Sequence, residues 1–281
     1  MQIITDPLEM QQIALAVRAA GKRLGCVPTM GFLHVGHLSL VALARERSDV
    51  VVLTLFVNPT QFGPKEDLAK YPRDFERDAA LCREAGVDIL FAPEAGAMYA
   101  PDASIYVTEE KLSRGLCGAS RPGHFRGVCT VVAKLFNLCL PHVAVFGAKD
   151  AQQLRVIRRM TRDLNFPIEI VAGPTIREPD GLAMSSRNVY LSAEERQQAL
   201  VLKRALDEAA RLYQSGERAA AMLKTAMEKI IAAAPAAKID YIEIVDDDTL
   251  EPVATLAKPA LIALAVFLGK TRLIDNIVLG N

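Results

Sequence analysis

Two histidines three residues apart, His34 and His37, lie between a turn and a helical pattern. Residues 28–31 have turn chemistry, and leucines and alanines recur at helical spacing over residues 38–45. We therefore predict a helix that begins near His34 or Gly36, with free backbone N–H groups and a positive dipole end at its start. The two imidazoles share one face of this helix and Gly36 permits close approach, so the segment suits a nucleotide triphosphate.

The same histidine spacing also occurs in metal sites and in helices where histidines merely cap or pack. The chain has four histidines, and no cysteine or acidic residue stands near His34 and His37 at a spacing typical of metal ligands. Metal coordination by this pair is therefore the less favoured alternative.

Two loops carry polar groups that suit an anionic substrate. Gln61, in residues 58–64, can donate and accept hydrogen bonds, although a loop glutamine is also commonly just solvated. Residues 121–128 carry Arg121, His124 and Arg126, which can meet a phosphate or carboxylate or can hold the loop through their own salt bridges. The sequence leaves both pairs of alternatives open.

Two further segments carry cations. Lys149 follows an apolar run and can bind phosphate as a point charge, with Gln153 one helical turn beyond, although both can also be surface residues of a helix start. Residues 183–188 resemble the KMSKS loop of class I aminoacyl-tRNA synthetases and related nucleotidyltransferases, where cations offset the charge of departing pyrophosphate. Ala183 and Ser186 occupy the two lysine positions of that loop, which leaves Arg187 as its cation and argues against a tRNA synthetase.

The composition limits which classes of protein and of partner fit this sequence. The 281 residues include 33 Lys plus Arg and 33 Asp plus Glu, so no net field favours a nucleic acid or a membrane, and a small-molecule partner fits better. Five cysteines without a C-x-x-C pair predict reduced core residues. Because the sequence carries neither a signal segment nor a membrane-length apolar run, we expect a cytoplasmic protein.

The element pattern predicts an α/β fold. Buried strands at residues 50–57, 89–91 and 142–146 alternate with helices at residues 74–85 and 128–138, as in a doubly wound, Rossmann-like parallel sheet. After about Gly173 the composition changes, so we predict a domain over residues 1–174 and a smaller α+β domain over residues 175–281. The second domain should hold a helix capped by Ser192, a helix over residues 218–234 and strands at residues 241–245 and 261–266.

Taken in order, these motifs resemble the pantothenate synthetase, or pantoate–β-alanine ligase, family over nearly the full length. The matching segments are residues 28–37, 56–63, 71–73, 121–127, 147–153, 184–188, 240–241 and 271–276. The chain departs from the common pattern at Phe32, where the family usually has alanine, and at Ala148, which replaces a common glutamate.

The resemblance implies an ATP-dependent ligase that condenses pantoate with β-alanine through a pantoyl adenylate and releases AMP and pyrophosphate. It implies catalytic roles for His34, His37, Lys149, Ser185, Ser186 and Arg187, with His37 as proton donor, and a grip on pantoate by Gln61 and Gln153. It assigns ATP binding to Met30, Gly31, Phe32, Leu33, His34, Val35, Gly36, His37, Gly147, Ala148, Lys149, Asp150, Ile176, Met184, Ser185, Ser186 and Arg187.

Mg²⁺ is expected with ATP, with Asp78 and Asp150 as candidate ligands, and the resemblance also implies a homodimer. Two other functions are compatible with the same histidine motif. A nucleotidyltransferase that stops at an adenylylated small molecule would not need Gln61 and Gln153. A nucleotide sensor without turnover would be expected to carry a damaged motif, and this motif is intact.

Overall fold

The computed structural model describes residues 1–64 and 66–280. The chain forms two compact units: unit 1 comprises Met1–Glu110, Arg121–Ala148 and Gln153–Pro174, and unit 2 comprises Lys111–Ser120, Lys149–Gln152 and Thr175–Asn281. Two short segments of the first half of the sequence therefore group with unit 2. The division into domains 1–174 and 175–281 as two continuous segments stays a prediction.

Unit 1 is built on a parallel sheet, to which the described residues contribute six strands in the order β1-β4-β3-β2-β5-β6. These strands are β1 (Gln2–Ile4), β2 (Leu24–Thr29), β3 (Val50–Leu55), β4 (Ile89–Phe91), β5 (Val143–Gly147) and β6 (Glu169–Gly173). The strand order reverses at β2, which pairs with β3 on one side and with β5 on the other. This confirms the predicted doubly wound sheet, in which ligands bind beyond the carboxyl ends of the strands at the reversal.

Helices connect the strands of unit 1, and further helices belong to unit 2. In chain order they are α1 (Pro7–Ala19), α2 (Val35–Arg45), α3 (Phe75–Glu84), α4 (Ala95–Met98), α5 (Leu116–Ser120), α6 (His124–Cys139), α7 (Ala151–Asp163), α8 (Ala193–Gln198), α9 (Val201–Gln214) and α10 (Ala220–Ala232). Short 3₁₀ helices span Pro59–Gln61 and Ser186–Tyr190. The apolar faces of α2 and α3 pack on β2, β3 and β5 through residues such as Leu40, Val41 and Cys82.

Unit 2 is the smaller α+β part that the sequence predicted. Among the described residues, β7 (Ala237–Asp246), β8 (Ala260–Leu268) and β9 (Thr271–Leu279) form an antiparallel sheet with β8 in the middle. Leu206 of α9 and Leu223 and Met227 of α10 are fully buried in the same cluster as the apolar side chains of β8. Ser192 caps α8 as predicted, in a capping box with Glu195.

The expectation for the cysteines is confirmed. All five cysteines are buried and unpaired. Across residues 1–64 and 66–280, we find no helix with the length and apolar character needed to cross a membrane.

The helix predicted over residues 128–138 begins earlier, at His124, directly after Gly123 in the left-handed region at φ 82°. Its first turns include Gly127, which lies against the main chain of the 3₁₀ helix Pro59–Gln61. A Cβ on Gly127 would meet the carbonyl oxygen of Thr60 at 2.4 Å and the backbone nitrogen of Gln61 at 2.6 Å. Glycine is therefore required for this close approach of two backbones.

We expect Gly127→Ala to lower the free energy of unfolding by about 1–3 kcal/mol, because main-chain atoms of Thr60 and Gln61 must move apart from α6. Urea unfolding measures the change. The matched control is Gly96→Ala in α4, where a Cβ meets nothing within 4 Å. Equal stability of the two variants would mean that α6 and the 3₁₀ helix separate without cost.

Candidate functional site

The loop between β2 and α2 has an unusual backbone held by one carboxylate. Gly31 and Phe32 lie in the left-handed region at φ 83° and 49°. The N–H of Phe32 donates to Oδ2 of Asp78 at 2.6 Å, and the N–H of Leu33 donates to Oδ1 at 2.7 Å. Asp78, from α3, is 1% exposed, and this burial raises the pKa of its carboxyl despite opposing hydrogen bonds from the two amides and the charge of Arg77.

The side chains of both histidines accept backbone N–H groups at the start of α2. Nδ1 of His34 accepts the N–H of Gly36 at 3.2 Å, and Nδ1 of His37 accepts the N–H of His34 at 3.3 Å. Their ring centroids are 4.1 Å apart. Because both Nδ1 atoms act as acceptors, the neutral rings carry their protons on Nε2. The pair therefore has two Nε2–H donors, the groups that hydrogen-bond a phosphate oxygen.

The prediction of free backbone N–H groups at this helix start was largely wrong. The amides of Phe32 and Leu33 donate to Asp78, and those of His34 and Gly36 donate to the imidazoles. The N–H of His37 donates to the carbonyl of His34 at 2.8 Å. In this loop, the imidazole Nε2 groups therefore replace backbone amides as the expected phosphate donors.

Gln61 is a buried residue, 8% exposed, which overturns the alternative of a solvated loop glutamine. Its Nε2 donates to Sδ of Met30 at 3.0 Å, and its Oε1 accepts from Nδ2 of Asn58 at 3.1 Å. The structure thus brings Gln61 together with Met30 of the loop after β2. His124 donates from Nδ1 to the carbonyl of Gln61 at 2.9 Å and fixes its main chain.

Within residues 121–128, Arg121 is held by an ion pair. Nη2 of Arg121 lies 2.6 Å from Oε2 of Glu66, and Nε donates to Oε1 at 2.8 Å. Arg121 also contacts Nε2 of His124 at 3.2 Å. The guanidinium stabilises the carboxylate and holds the pKa of Glu66 below its usual value, although burial opposes this. Arg121 and His124 therefore support Gln61, whereas Arg126 is exposed and stacks over the ring of Tyr106.

Unit 2 brings two of the predicted cations together. Lys149 lies within electrostatic range of Arg187, whose like charge, together with the larger effect of burial, lowers the pKa of Lys149. The carboxylates of Asp150 and Asp275 oppose this shift. A bound phosphate would offset both the burial of Lys149 and the like charge of Arg187.

The serine-rich segment of unit 2 is an ordered turn. Oγ of Ser185 accepts the N–H of Arg187 at 3.3 Å and caps the 3₁₀ helix Ser186–Tyr190. The N–H of Met184 donates to the carbonyl of Ile176 at 3.0 Å. Ile176, Met184, Ser185, Ser186 and Arg187, five of the residues assigned to ATP, thus lie in one continuous substructure.

The remaining predicted site residues lie at the end of β5 and at the starts of α7 and α2. Gly147 ends β5 and Ala148 follows it in unit 1, where its N–H donates to the carbonyl of Gly173. Gln153 is half-buried in the first turn of α7, Val35 is 59% exposed at the start of α2, and Asp150 is exposed.

The sequence analysis named Asp78 only as a candidate metal ligand and missed its hold on the loop, together with the roles of Asn58 and Tyr99. Asp78 had a readable signal, because it falls among the buried residues of α3 with Ala79 and Cys82, where an acid needs a partner. Asn58 is 1% exposed, and its Oδ1 accepts from the hydroxyl of Tyr99 at 2.9 Å. Tyr99 comes from a distant part of unit 1, so no local pattern indicates this contact.

Comparison with known proteins decides the family. The family model described as pantoate-beta-alanine ligase matches residues 2–278. The pantothenate synthetase of Thermotoga petrophila is 58% identical over the full length of both chains, and that of Heliobacterium modesticaldum is 57% identical over 99% of each. The chain belongs to the pantoate–β-alanine ligase family.

Solved structures of this ligase family share the fold. The crystal structure of pantothenate synthetase from Thermus thermophilus has a TM-score of 0.93 and 48% identity, with 99% of each chain covered. That of the Francisella tularensis pantoate–β-alanine ligase, complexed with β-γ ATP and β-alanine, has a TM-score of 0.80 and 31% identity, with 99% of this chain and 97% of that chain covered.

The two candidate Mg²⁺ ligands differ in the accessibility of their carboxylates. In the described part of the chain, no group of three or more His, Cys, Asp or Glu residues is placed to hold a metal. Mg²⁺ usually takes phosphate oxygens, waters and only one or two carboxylates. Of the two candidates, Asp150 has an exposed carboxylate, whereas both oxygens of Asp78 already accept loop amides.

We expect Asp78→Asn to release the loop after β2, because one of the two amides would face an NH₂ group instead of an acceptor. An unsatisfied buried amide costs about 1–3 kcal/mol of folding free energy. Amide hydrogen exchange at Phe32 and Leu33 should accelerate, and urea unfolding should show the loss.

The matched control for this experiment is Asp74→Asn. Asp74 caps α3 through the N–H of Arg77, and asparagine caps a helix about as well as aspartate. Unchanged exchange at Phe32 and Leu33 in Asp78→Asn would contradict the proposed hold on the loop.

Proposed function

We propose that this chain condenses pantoate with β-alanine at the expense of ATP. The imidazole pair at the start of α2 is the observation that links this reaction to particular residues. The hydrogen bonds at Nδ1 of His34 and His37 leave the proton of each neutral ring on Nε2. Membership of the pantoate–β-alanine ligase family supplies the reaction.

The reaction needs an activated carboxyl group, because a carboxylate is a poor electrophile and amine attack would have to expel oxide. We infer that a carboxylate oxygen of pantoate attacks the α-phosphorus of ATP, and pyrophosphate leaves. The amine of β-alanine then attacks the acyl carbon of the adenylate, AMP departs with the bonding electron pair, and the amine loses a proton. Positioning supplies much of the rate in such a transfer.

The histidines and the cations would share the phosphate charge. We assign to His34 and His37 the donation of hydrogen bonds to phosphate oxygens, with His37 as proton donor. Lys149 and Arg187 would offset the charge of departing pyrophosphate, and Ser185 and Ser186 would donate from the same turn. Mg²⁺ bound to the β- and γ-phosphates would screen their charge during this step.

Gln61 and Gln153 are assigned to pantoate. A buried amide that can donate and accept suits a ligand with hydroxyl groups and a carboxylate. The contacts of Gln61 with Met30 and Asn58 support this role, since they fix its side chain before the substrate arrives.

We also propose a cytoplasmic homodimer. Five unpaired buried cysteines favour a reducing compartment. In unit 1, Leu8 and Leu15 lie seven residues apart on one face of α1 and are 67% and 55% exposed, which favours cover by a second copy. Sedimentation equilibrium measures the mass in solution.

The reaction is tested with purified protein, ATP, Mg²⁺ and pantoate, with and without β-alanine, by following pyrophosphate, AMP and pantothenate. We expect steady formation of all three only when β-alanine is present. Pyrophosphate release without dependence on pantoate would indicate another acceptor and a nucleotidyltransferase. Absence of all products would favour a nucleotide sensor.

We expect His37→Ala and Lys149→Ala to lower turnover by about 10²–10³-fold, because each removes one preorganised group facing the developing phosphate charge. Steady-state pyrophosphate release measures the loss, and circular dichroism checks that the variants fold. Glu46→Ala, exposed at the C-terminal end of α2 and outside the assigned site, is the control for His37. Near-normal turnover in either site variant would overturn its role.

The lowered pKa of Lys149 predicts a pH dependence of nucleotide affinity. Burial and Arg187 favour the neutral amine, so the charge is lost below the ordinary value of 10.5 as pH rises. We expect the affinity for ATP to fall through this lowered pKa, and ATP binding in alkaline buffer to take up protons. Isothermal titration in buffers of different ionisation enthalpy measures both.

Lys149→Arg provides the control for this titration, because arginine keeps its charge throughout the same range. The alkaline fall in affinity should disappear in this variant. An unchanged alkaline fall in Lys149→Arg would assign it to a different group.

A further inference from the structure

The last strand of unit 2 contacts the main chain of Lys149. Nδ2 of Asn276, on β9, donates to the carbonyl oxygen of Lys149 at 2.8 Å. The two residues are 127 positions apart in the sequence, and Asn276 is half-buried. The reaction chemistry described above gives Asn276 no role.

The neighbouring residue ties β9 to the segment that leads into the serine-rich turn. Oδ2 and Oδ1 of Asp275, 2% exposed, lie 2.6 and 2.9 Å from Nη1 and Nη2 of Arg177. Arg177 pairs with Ala183 in an antiparallel bridge that precedes the turn at residues 184–187. Oδ1 of Asp275 also accepts the N–H of Asn276 at 2.8 Å, which fixes the backbone from which Asn276 extends.

These contacts matter because Lys149 is a difficult side chain to hold in place. Burial and the like charge of Arg187 disfavour its ammonium. A long, flexible side chain under repulsion moves away from its neighbour unless the backbone that carries it is restrained. The bond from Asn276 provides a restraint at the residue itself, and it comes from the strand that also holds Arg177.

We propose that Asn276 is a positioning residue for Lys149: its amide fixes the main chain of Lys149 so that the ammonium meets the phosphates of ATP beside Arg187. This inference rests on the proposed role of Lys149 in nucleotide binding. Asn276 itself need not contact the nucleotide.

The test is a double-mutant cycle read out as the dissociation constant for MgATP. Asn276→Ala should raise it by about 10–10²-fold, as expected for a displaced binding group. Lys149→Ala keeps the carbonyl that Asn276 contacts but removes the ammonium. In that background, Asn276→Ala should therefore change the constant by no more than about twofold, the usual limit of additivity error.

Two further variants separate positioning from a general loosening of unit 2. Asn276→Asp has the same shape but replaces the N–H donor with a charged oxygen that repels the carbonyl of Lys149, so it should weaken MgATP binding at least as much as Asn276→Ala does. Val278→Ala shortens a half-buried side chain on the same face of β9 and should leave the constant unchanged. An effect of Val278→Ala equal to that of Asn276→Ala would overturn the proposal.

The outcomes also separate this inference from the proposed function. An unchanged dissociation constant in Lys149→Ala would show that Lys149 does not bind the nucleotide. The premise of this inference would then be wrong. A raised constant in Lys149→Ala with no effect of Asn276→Ala would overturn the positioning role alone. Equal effects of Asn276→Ala in both backgrounds would overturn it as well, because Asn276 would then act independently of Lys149.

Discussion

The buried carboxylate of Asp78 is the constraint on which the first half of the site depends. Gly31 and Phe32 both have left-handed backbone, which is strained for the phenylalanine. The amides that follow lie outside the regular hydrogen bonds of the sheet. Asp78 accepts the amides of Phe32 and Leu33, so the turn has one stable geometry. Because α3 packs on the sheet, the position of the loop is fixed relative to the strands.

The geometry of the turn determines how the histidines are used. The chain enters α2 at His34, and the helix start is closed by imidazole nitrogens rather than by Ser, Thr, Asp or Asn, the usual capping residues. A histidine that caps through Nδ1 is fixed in ring orientation and tautomer, with its proton on Nε2. Capping through Nδ1 thus leaves Nε2–H for the proposed recognition of phosphate, so one side chain can serve both roles.

Sequence patterns predicted the central strands and the helices that follow them, because continuous apolar runs and helical spacing are local signals. They missed β1, β6 and β9. β1 has only three residues, β6 is a half-exposed edge strand and β9 alternates buried and half-buried residues, so none of them has a long continuous apolar run. The histidine motif was found from spacing alone, whereas the contacts that hold the histidine loop and Lys149 were not. Those contacts, of Asp78 with Leu33 and of Asn276 with Lys149, join residues 45 and 127 positions apart.

The proposed site residues comprise neutral donors and cations, which suits a reaction between anions. The neutral donors are His34 and His37, together with buried amides such as Gln61, and the cations are Lys149 and Arg187, which lie within electrostatic range of each other. Pantoate and ATP repel each other, so their reaction needs positive charge, but a cation beside the attacking carboxylate would stabilise the reactant and slow the attack. The proposed roles, with neutral donors for the reacting groups and cations for the departing pyrophosphate, would avoid this conflict, because the charge on the leaving group increases only as the bond breaks.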